Sequence, residues 1–399
     1  MKNTDSEQGS DNIPRIKKIE NYLFRRYDVR INIITNTIEK RAIKTADPFE
    51  PINESDLRYE LFNAGYTRFD GELKALLGSS VILKYDPFKA YFEGLKPRQD
   101  NEPDYIQILS TYVDVKDRQW FETMFKKMLV RTVSQSLGTP QFNKHCFTFV
   151  GNQHDGKTSF FDFLVPPKLI NYYKKGYDFH GGRQAKFSLV QNFMVNLDEL
   201  AQFDKKDLNN EFKATLSENY VKYAPLFSST EVSFARRASF VASTNKSDFL
   251  TDATGSVRWI VFQVMKINHD NGGSKGYSQN VDIDKVWAQA YALHQSGFKA
   301  ELTHDEIKQN ELFNRQFMRV TTEMELVARH FEKADKNQYG AQFHTASSIE
   351  KLLREKGYPK LYQNQIGAAM QILGFQQIAN WNAKLKYSEK GYYLLETSI

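Results

Sequence analysis

Residues Gly151-Asn152-Gln153-His154-Asp155-Gly156-Lys157-Thr158 follow the spacing GxxxxGK[ST]. Each type in that spacing answers a requirement of a bound polyphosphate. Gly151 and Gly156 let the chain curl tightly, so that successive amide N–H groups face one point. Lys157 brings a mobile cation to the outer phosphates, and the Thr158 hydroxyl suits a hydrated magnesium ion. Ser159 continues the segment into the helix that must follow. Forty-one residues beyond Lys157, the run FMVNLDEL ends in Asp198 and Glu199. An acidic pair at the tip of an apolar strand predicts one carboxylate (Asp198) on the metal's water shell and a second (Glu199) polarising an attacking water. Asn245, closing SFVASTN, is placed to hydrogen-bond that water or the terminal phosphate. Arg258, in DATGSVRW, is a candidate to stabilise transition-state charge in a neighbouring subunit.

These residues work together only if strands deliver them to one edge of a sheet. HCFTFV (145–150) reads as a strand and KTSFFDFLV (157–165) as the start of a helix. FMVNLDEL, ASFVASTN (238–245) and VRWIVFQV (257–264) read as further strands, with a polar helix over 204–219. Strands separated by helical text predict an α/β domain with a mainly parallel sheet, whose ligands lie at the strands' carboxyl ends. NHDNGGSKG (268–276) reads as an exposed loop, and residues 292–335 as amphipathic helix.

Upstream, residues 1–14 are polar and predict disorder. Alternation in VRINIITNTIEKR predicts a β-hairpin turning at Asn36-Thr37. Residues 53–79 and 86–104 predict helices, and 105–140 two more, so a first boundary is placed near residue 100. Downstream, DKNQYGAQ reads as a linker before a separate unit at 344–399. There TASSIEKLLREKG suggests a Ser347/Glu350 capping box, QNQIGAAMQILGF a second helix and LKYSEKGYYLLET a hairpin, together a winged-helix-like module. Its net charge of +3 suits a nucleic-acid backbone, with Gln363, Asn364, Lys384 and Lys386 as first contacts.

The whole chain of 399 residues is 41% hydrophobic and 26% charged, values of a folded multidomain protein. Its 30 Phe and 21 Tyr predict a core built largely of rings. The net charge of +6 permits a polyanionic partner without demanding one. Cys146 is the one cysteine, and no HExxH or Cys/His cluster occurs, which excludes an intrachain disulfide and argues against structural zinc. The polar N-terminus and the lack of a long apolar run predict a cytoplasmic protein with no membrane partner.

Taken together, GNQHDGKTSFFDFL, NLDEL, RRASFVASTN and FLTDATGSVRW resemble the virulence-associated protein E family of phages and mobile elements, related to superfamily-three helicases and primase-helicases. YFEGLKPRQDNEPDYI and VWAQAYALHQSGF add to the resemblance, which spans roughly residues 90–330. It implies a P-loop NTPase (AAA+/superfamily-three helicase-like) core over 101–335, with a small α+β region at 1–100 and the winged-helix-like module at 344–399. Lys157 and Thr158 then fall on Walker A, Asp198 and Glu199 on Walker B, Asn245 on the polar sensor and Arg258 on the arginine finger. ATP and Mg2+ are the implied cofactors, and single-stranded or forked DNA in a hexameric ring the implied substrate. Candidate channel contacts are Lys205, Lys206, Lys213, Lys222, Arg236 and Arg237, the last two alternatively reaching the nucleotide. His154 and Asp155 stand where relatives often carry smaller residues. Relatives can carry an upstream primase, but the first 100 residues hold no evident paired carboxylates for two-metal polymerisation, so a primase partner would be a separate protein. A phosphate loop also serves a non-motor initiator or switch, and the residues leave that alternative open.

Overall fold

The structure, a computed structural model, describes residues 13–198, 200, 206–223, 230–251, 253–383 and 386–397. The N-terminal segment read as disordered, except for its last two residues, together with Glu199, Lys205 and Lys384, lies outside the described residues.

A small unit opens the chain. Helix α1 (Arg15–Phe24) leads into the hairpin β1 (Tyr27–Asn32) and β2 (Thr37–Ala42), with Asn36 turning at φ 55°. Strand β3 (Glu50–Pro51), helices α2 (Glu54–Asn63) and α3 (Asp70–Leu77) and strand β4 (Leu83–Tyr85) complete it, in sheet order β3-β2-β1-β4. Its core gathers Leu23, Leu57, Leu61, Leu73 and Leu76, all essentially inaccessible.

Helix α4 (Pro87–Glu93), capped by Asp86, already belongs to the central unit, because Phe88, Tyr91 and Phe92 pack in that unit's core. The first boundary therefore falls near residue 86 and not near 100. Helix α5 (Tyr105–Ser110), strand β5 (Val113–Val115) and the long helix α6 (Arg118–Ser136) follow. The main sheet then forms from β6 (Cys146–Val150), β7 (Tyr173–Lys175), β8 (Met194–Asp198), β11 (Ser239–Thr244) and β12 (Trp259–Ile267), interleaved with α7 (Lys157–Leu164), α8 (Gly182–Gln191), α9 (Lys206–Ser217) and a hairpin of β9 (Tyr220–Tyr223) with β10 (Val232–Ala235). Strand order is β5-β12-β6-β11-β8-β7, parallel except at the β5 edge. The predicted parallel sheet is thus present. The short strands β5 and β7 and the β9–β10 hairpin escaped the sequence reading because three or four residues carry too little periodicity.

Strand β6 is buried along its whole length, since helices cover both faces, and its CFTFV reads as continuous apolar text for that reason. Rings dominate one side, as the composition predicted. Phe149 stacks on Phe161 at 4.7 Å, and Phe121, Phe125, Phe147, Phe160 and Phe262 close around them. Helices α10 (Tyr277–Asn280), α11 (Ile283–Gln295) and α12 (His304–Asn314) back this core. Trp287 of α11 is fully buried and donates its indole N–H to the Leu164 carbonyl at 2.8 Å, fixing the far end of α7.

The last unit begins earlier than composition suggested. Helix α13 (Thr322–His330) and strand β13 (Phe331–Lys333) share a core with β14 (Gln342–His344), α14 (Ala346–Glu355), α15 (Gln363–Ile372) and the hairpin β15 (Ile378–Asn382) with β16 (Tyr387–Glu396). The supposed linker at 336–343 joins two strands of one sheet. Thr345, not Ser347, caps α14 by accepting from the Ser348 N–H, while Glu350 pairs with Arg354 one turn on. The segment LKYSEKGYYLLET does not fold back on itself, because its described part supplies the single strand β16 and the hairpin's other arm is IANWN. Among the described residues, no helix is long and apolar enough to cross a membrane.

Candidate functional site

Because β6, β8, β11 and β12 run parallel, their carboxyl ends share one edge. The loop after β6, the carboxylate closing β8 and the residues following β11 and β12 must therefore converge. They enclose a cleft of about 730 Å³.

Loop 151–156 is shaped by its glycines. Gly156 adopts φ +81° as it caps α7, and a β-carbon there would lie 2.5 Å from His269. A β-carbon on Gly151 would approach the Val264 carbonyl to 2.9 Å. His154 also adopts a left-handed backbone, φ 71°. Residues 153–159, from Gln153 to Ser159, line the cleft, while Gly151 and Asn152 contribute carbonyls that accept from the Lys157 ammonium. Lys157 is only 8% exposed, and burial lowers its pKa, offset by the charges of Asp155 and Asp198. Asp155 is half-buried. Its Oδ2 is buried without a hydrogen-bond partner among the described residues, so its negative charge sits inside the loop beside Lys157.

At the mouth of α7, the Thr158 hydroxyl donates to Asp198 Oδ1 at 3.1 Å and lies 3.2 Å from Ser243 Oγ. Ser243 donates to the same carboxylate oxygen at 2.7 Å. Strand register explains the triplet, since β11 lies between β6 and β8 and pairs Ser243 with Asp198. The cluster offers three hard oxygens beside a cation, a donor set suited to magnesium, which needs only one or two protein ligands when phosphates and waters supply the rest. No group of three or more His, Cys, Asp or Glu able to hold a metal occurs among the described residues. Asn245, exposed at the tip of β11, lines the cleft.

Two sets of lining residues were not foreseen. Ser243 stands two residues before Asn245 in ASFVASTN, and no spacing in the sequence marks it. The 268–276 stretch, read as a plain exposed loop, folds over the start of α7 and brings His269, Asn271 and Gly272 to the cleft. Tyr277 follows, almost fully buried, with its phenol pushed up to about 12 by burial and by the Asp162 charge.

Arg258 lies at the opposite edge. It ends a 3-10 turn (Ala253–Arg258) and precedes Trp259, which is level with Cys146 at the start of β6. Its guanidinium donates to Ser217 Oγ at 3.0 Å. From there to loop 151–156 is about 16 Å along the strand, beyond an arginine's reach.

Arg236 and Arg237 are corrections. Both precede β11, at the edge away from the cleft, so neither reaches the cleft. Arg236 is fully inaccessible, donating to Gln135 Oε1, the Asn143 carbonyl and the Thr215 carbonyl, and burial lowers its pKa to about 10. Arg237 is turned inward, donating to the Ser136 carbonyl and pairing with Asp86 at 3.2 Å, so it ties the start of α4 to the sheet. Neither is a surface for DNA. Lys222 is different, standing exposed on β9 of the hairpin, while Lys213 is half-buried on α9, which Lys206 opens. The two kinds of residue separate by experiment. Arg236→Ala should lower stability by on the order of 3 kcal/mol by stripping partners from buried carbonyls, seen as a fall in Tm. Lys222→Ala should leave Tm unchanged and, were a single strand bound along this face, lessen the salt dependence of that binding by about one phosphate contact. In the last unit Gln363 and Asn364 are exposed at the start of α15 and Lys386 at the β15–β16 turn, where it adopts φ 58°. Trp381, 62% exposed on β15, stands on the same face as Lys390, an aromatic beside a cation that the sequence reading missed.

Solved structures align with this chain over nearly its full length. An apo A form of the NrS-1 C-terminal region is 12% identical, covers 96% of this chain and 99% of its own, and superposes with a TM-score of 0.50. A further apo structure of that region is 13% identical, with 98% and 100% covered and a TM-score of 0.48. A structure described as SCCmec type IV Cch, active helicase, is 11% identical, with 93% of each chain covered and a TM-score of 0.36. No curated protein matches the sequence. The pattern of the virulence-associated protein E-like domain matches residues 93–319, more than half of the chain and all of the cleft. The chain belongs to the virulence-associated protein E-like domain family.

Proposed function

We propose that this protein is a Mg2+-dependent ATPase of the P-loop, superfamily-three helicase-like kind, acting on single-stranded or forked DNA in the replication of a phage or mobile element. The observation that carries the proposal is the meeting of Lys157, Thr158, Ser243 and Asp198 at the mouth of α7. A triphosphate laid along loop 151–156 meets backbone N–H groups, the positive end of α7 and the Lys157 ammonium at one point. Thr158 and Asp198 would hold the magnesium ion, which when bound neutralises charge on the outer phosphates. Asn245 is within the same cleft to orient the attacking water. Glu199 is assigned the task of polarising that water from its place directly after Asp198.

Work on DNA is supported by different features. The β9–β10 pair follows α9 and precedes β11 in the chain and carries Lys222 exposed. The winged-helix-like last unit presents Gln363, Asn364, Lys386 and the Trp381–Lys390 face, and Lys384 stands two residues before Lys386 in the sequence. Exposed aromatics beside cations suit single strands, whose bases stack while phosphates pair. A homo-oligomeric ring, probed by Arg258 acting in a neighbour's site, completes the reading.

The deciding experiment is ATP hydrolysis by the purified protein with and without single-stranded DNA. Stimulation by DNA is expected. Hydrolysis indifferent to DNA would overturn the motor and favour a switch or initiator that uses the same loop, and absence of hydrolysis with tight ATP binding would make the chain a binding module.

A further inference from the structure

Strand β12 ends on the same edge as the phosphate loop, so the residues after Ile267 arrive at the cleft by topology. They are held there by a dense set of local bonds. The Asn271 N–H donates to His269 Nδ1 at 3.0 Å, the Lys275 N–H to Asp270 Oδ2 at 2.9 Å, and the Asn280 amide to the Ser274 and Gly276 carbonyls at 2.7 and 2.8 Å. Asp270 and Asn271 take left-handed backbones at φ 45° and 44°, a conformation that short polar side chains tolerate best. Gly276 permits the closure, because a β-carbon there would lie 2.2 Å from the His269 carbonyl oxygen. A segment that only linked strand to helix would have no need of this construction.

The outcome is a fixed imidazole beside the phosphate loop. With Nδ1 accepting from Asn271, the neutral ring carries its proton on Nε2. That nitrogen lies 3.3 Å from the point where Gly156 would carry a β-carbon. Farther along the cleft, Phe163 and Tyr277 stand with ring centroids 4.8 Å apart, and the Tyr277 hydroxyl has no hydrogen-bond partner among the described residues. The phosphate end of the cleft is polar and charged. This other end is aromatic, with single donors at its rim, the chemistry of a nucleoside and not of a phosphate.

We propose that the 268–278 loop is the nucleoside-recognition element of the site, in which His269 and the Phe163–Tyr277 wall bind the base and ribose of a nucleoside triphosphate. This rests on the nucleotide reading above and extends it from the triphosphate to the nucleoside. The phosphate loop alone would bind inorganic triphosphate nearly as well as ATP. The loop after β12 is what makes the difference.

The test compares the binding of Mg-ATP and of magnesium tripolyphosphate to the full chain by calorimetry. The wild type should prefer ATP by at least about tenfold, the scale of one well-placed polar or stacking contact. His269→Asn keeps an acceptor for the Asn271 N–H and so preserves the loop, while removing the ring and its Nε2–H. It should lose most of the preference and bind tripolyphosphate within about twofold of wild type. Tyr277→Phe, which deletes only a hydroxyl, should reduce the preference in the same direction by less. Equal weakening of both ligands by His269→Asn, no change in either, or no preference in the wild type would overturn the proposal while leaving a phosphate site intact. Binding of neither ligand by the wild type would overturn the nucleotide reading itself.

Discussion

Lys157→Ala should lower the rate of ATP hydrolysis about 100-fold or more, the scale of removing one preorganised charge from a phosphoryl-transfer site, without lowering Tm. The two halves of this expectation have one cause. The ammonium is 8% exposed, and its pKa is lowered because burial penalises the cation more than Asp155 and Asp198 favour it. A cation whose folded pKa lies below its unfolded value opposes folding while it is charged, and that penalty fades as pH rises through the folded pKa. On the proposed reading, the charge serves a bound phosphate and not the fold. Alanine removes the penalty together with the bonds to the Gly151 and Asn152 carbonyls, so Tm should stay level or rise at neutral pH. The wild type should gain stability as pH climbs into the alkaline range, and the variant should lose that slope. Steady-state hydrolysis and thermal unfolding across pH check both. A fall in Tm parallel to the fall in rate would assign the lysine to folding and remove the main support for the ATPase.

That residues 153–158 and Asp198 share one cleft could be read in advance because the logic is local. Two glycines, a lysine and a threonine between an apolar strand and a helix specify their own geometry, and an acidic residue at a strand's end declares its edge of the sheet. Ser243 and His269 were not legible in that way. Ser243 matters only because β11 lies between β6 and β8, a strand order that no spacing encodes. His269 matters only because β12 returns parallel to β6, so that a polar, glycine-rich stretch becomes a wall of the cleft. Arg236 failed for the opposite reason. A charge count treats every arginine as surface, yet this one is enclosed by Gln135 and backbone carbonyls separated from it by about 20 to 100 residues, contacts visible only after folding. The unit boundaries moved on similar grounds. Phe88 and Phe92 look like any amphipathic helix until the core they enter is known, and β13 is a three-residue strand that only its pairing with β16 reveals.

Arg258→Ala should lower ATP hydrolysis by about a thousandfold or more if it serves as an arginine finger, and the loss should be repairable by a neighbour. Arg258 precedes a strand whose far end carries the cleft wall, with the length of β6 between it and its own phosphate loop. It is half-buried and its guanidinium is oriented by the Ser217 hydroxyl at the end of α9, so it is presented outward from a fixed base and not left on a mobile stem. A residue so placed can complete a site only in a head-to-tail assembly, where one subunit's lower edge meets the next subunit's cleft. Complementation tests this directly. Arg258→Ala subunits keep an intact Lys157, and Lys157→Ala subunits keep an intact Arg258, so each preparation alone should be inactive. Mixed in equal amounts and allowed to exchange, about a quarter of the interfaces should pair an intact cleft with an intact arginine, and hydrolysis should return to that fraction of wild type. Failure to recover activity in assemblies shown by mass to contain both variants would exclude action across the subunit boundary. The defect would then be attributed to the lost Arg258–Ser217 contact and its support of α9.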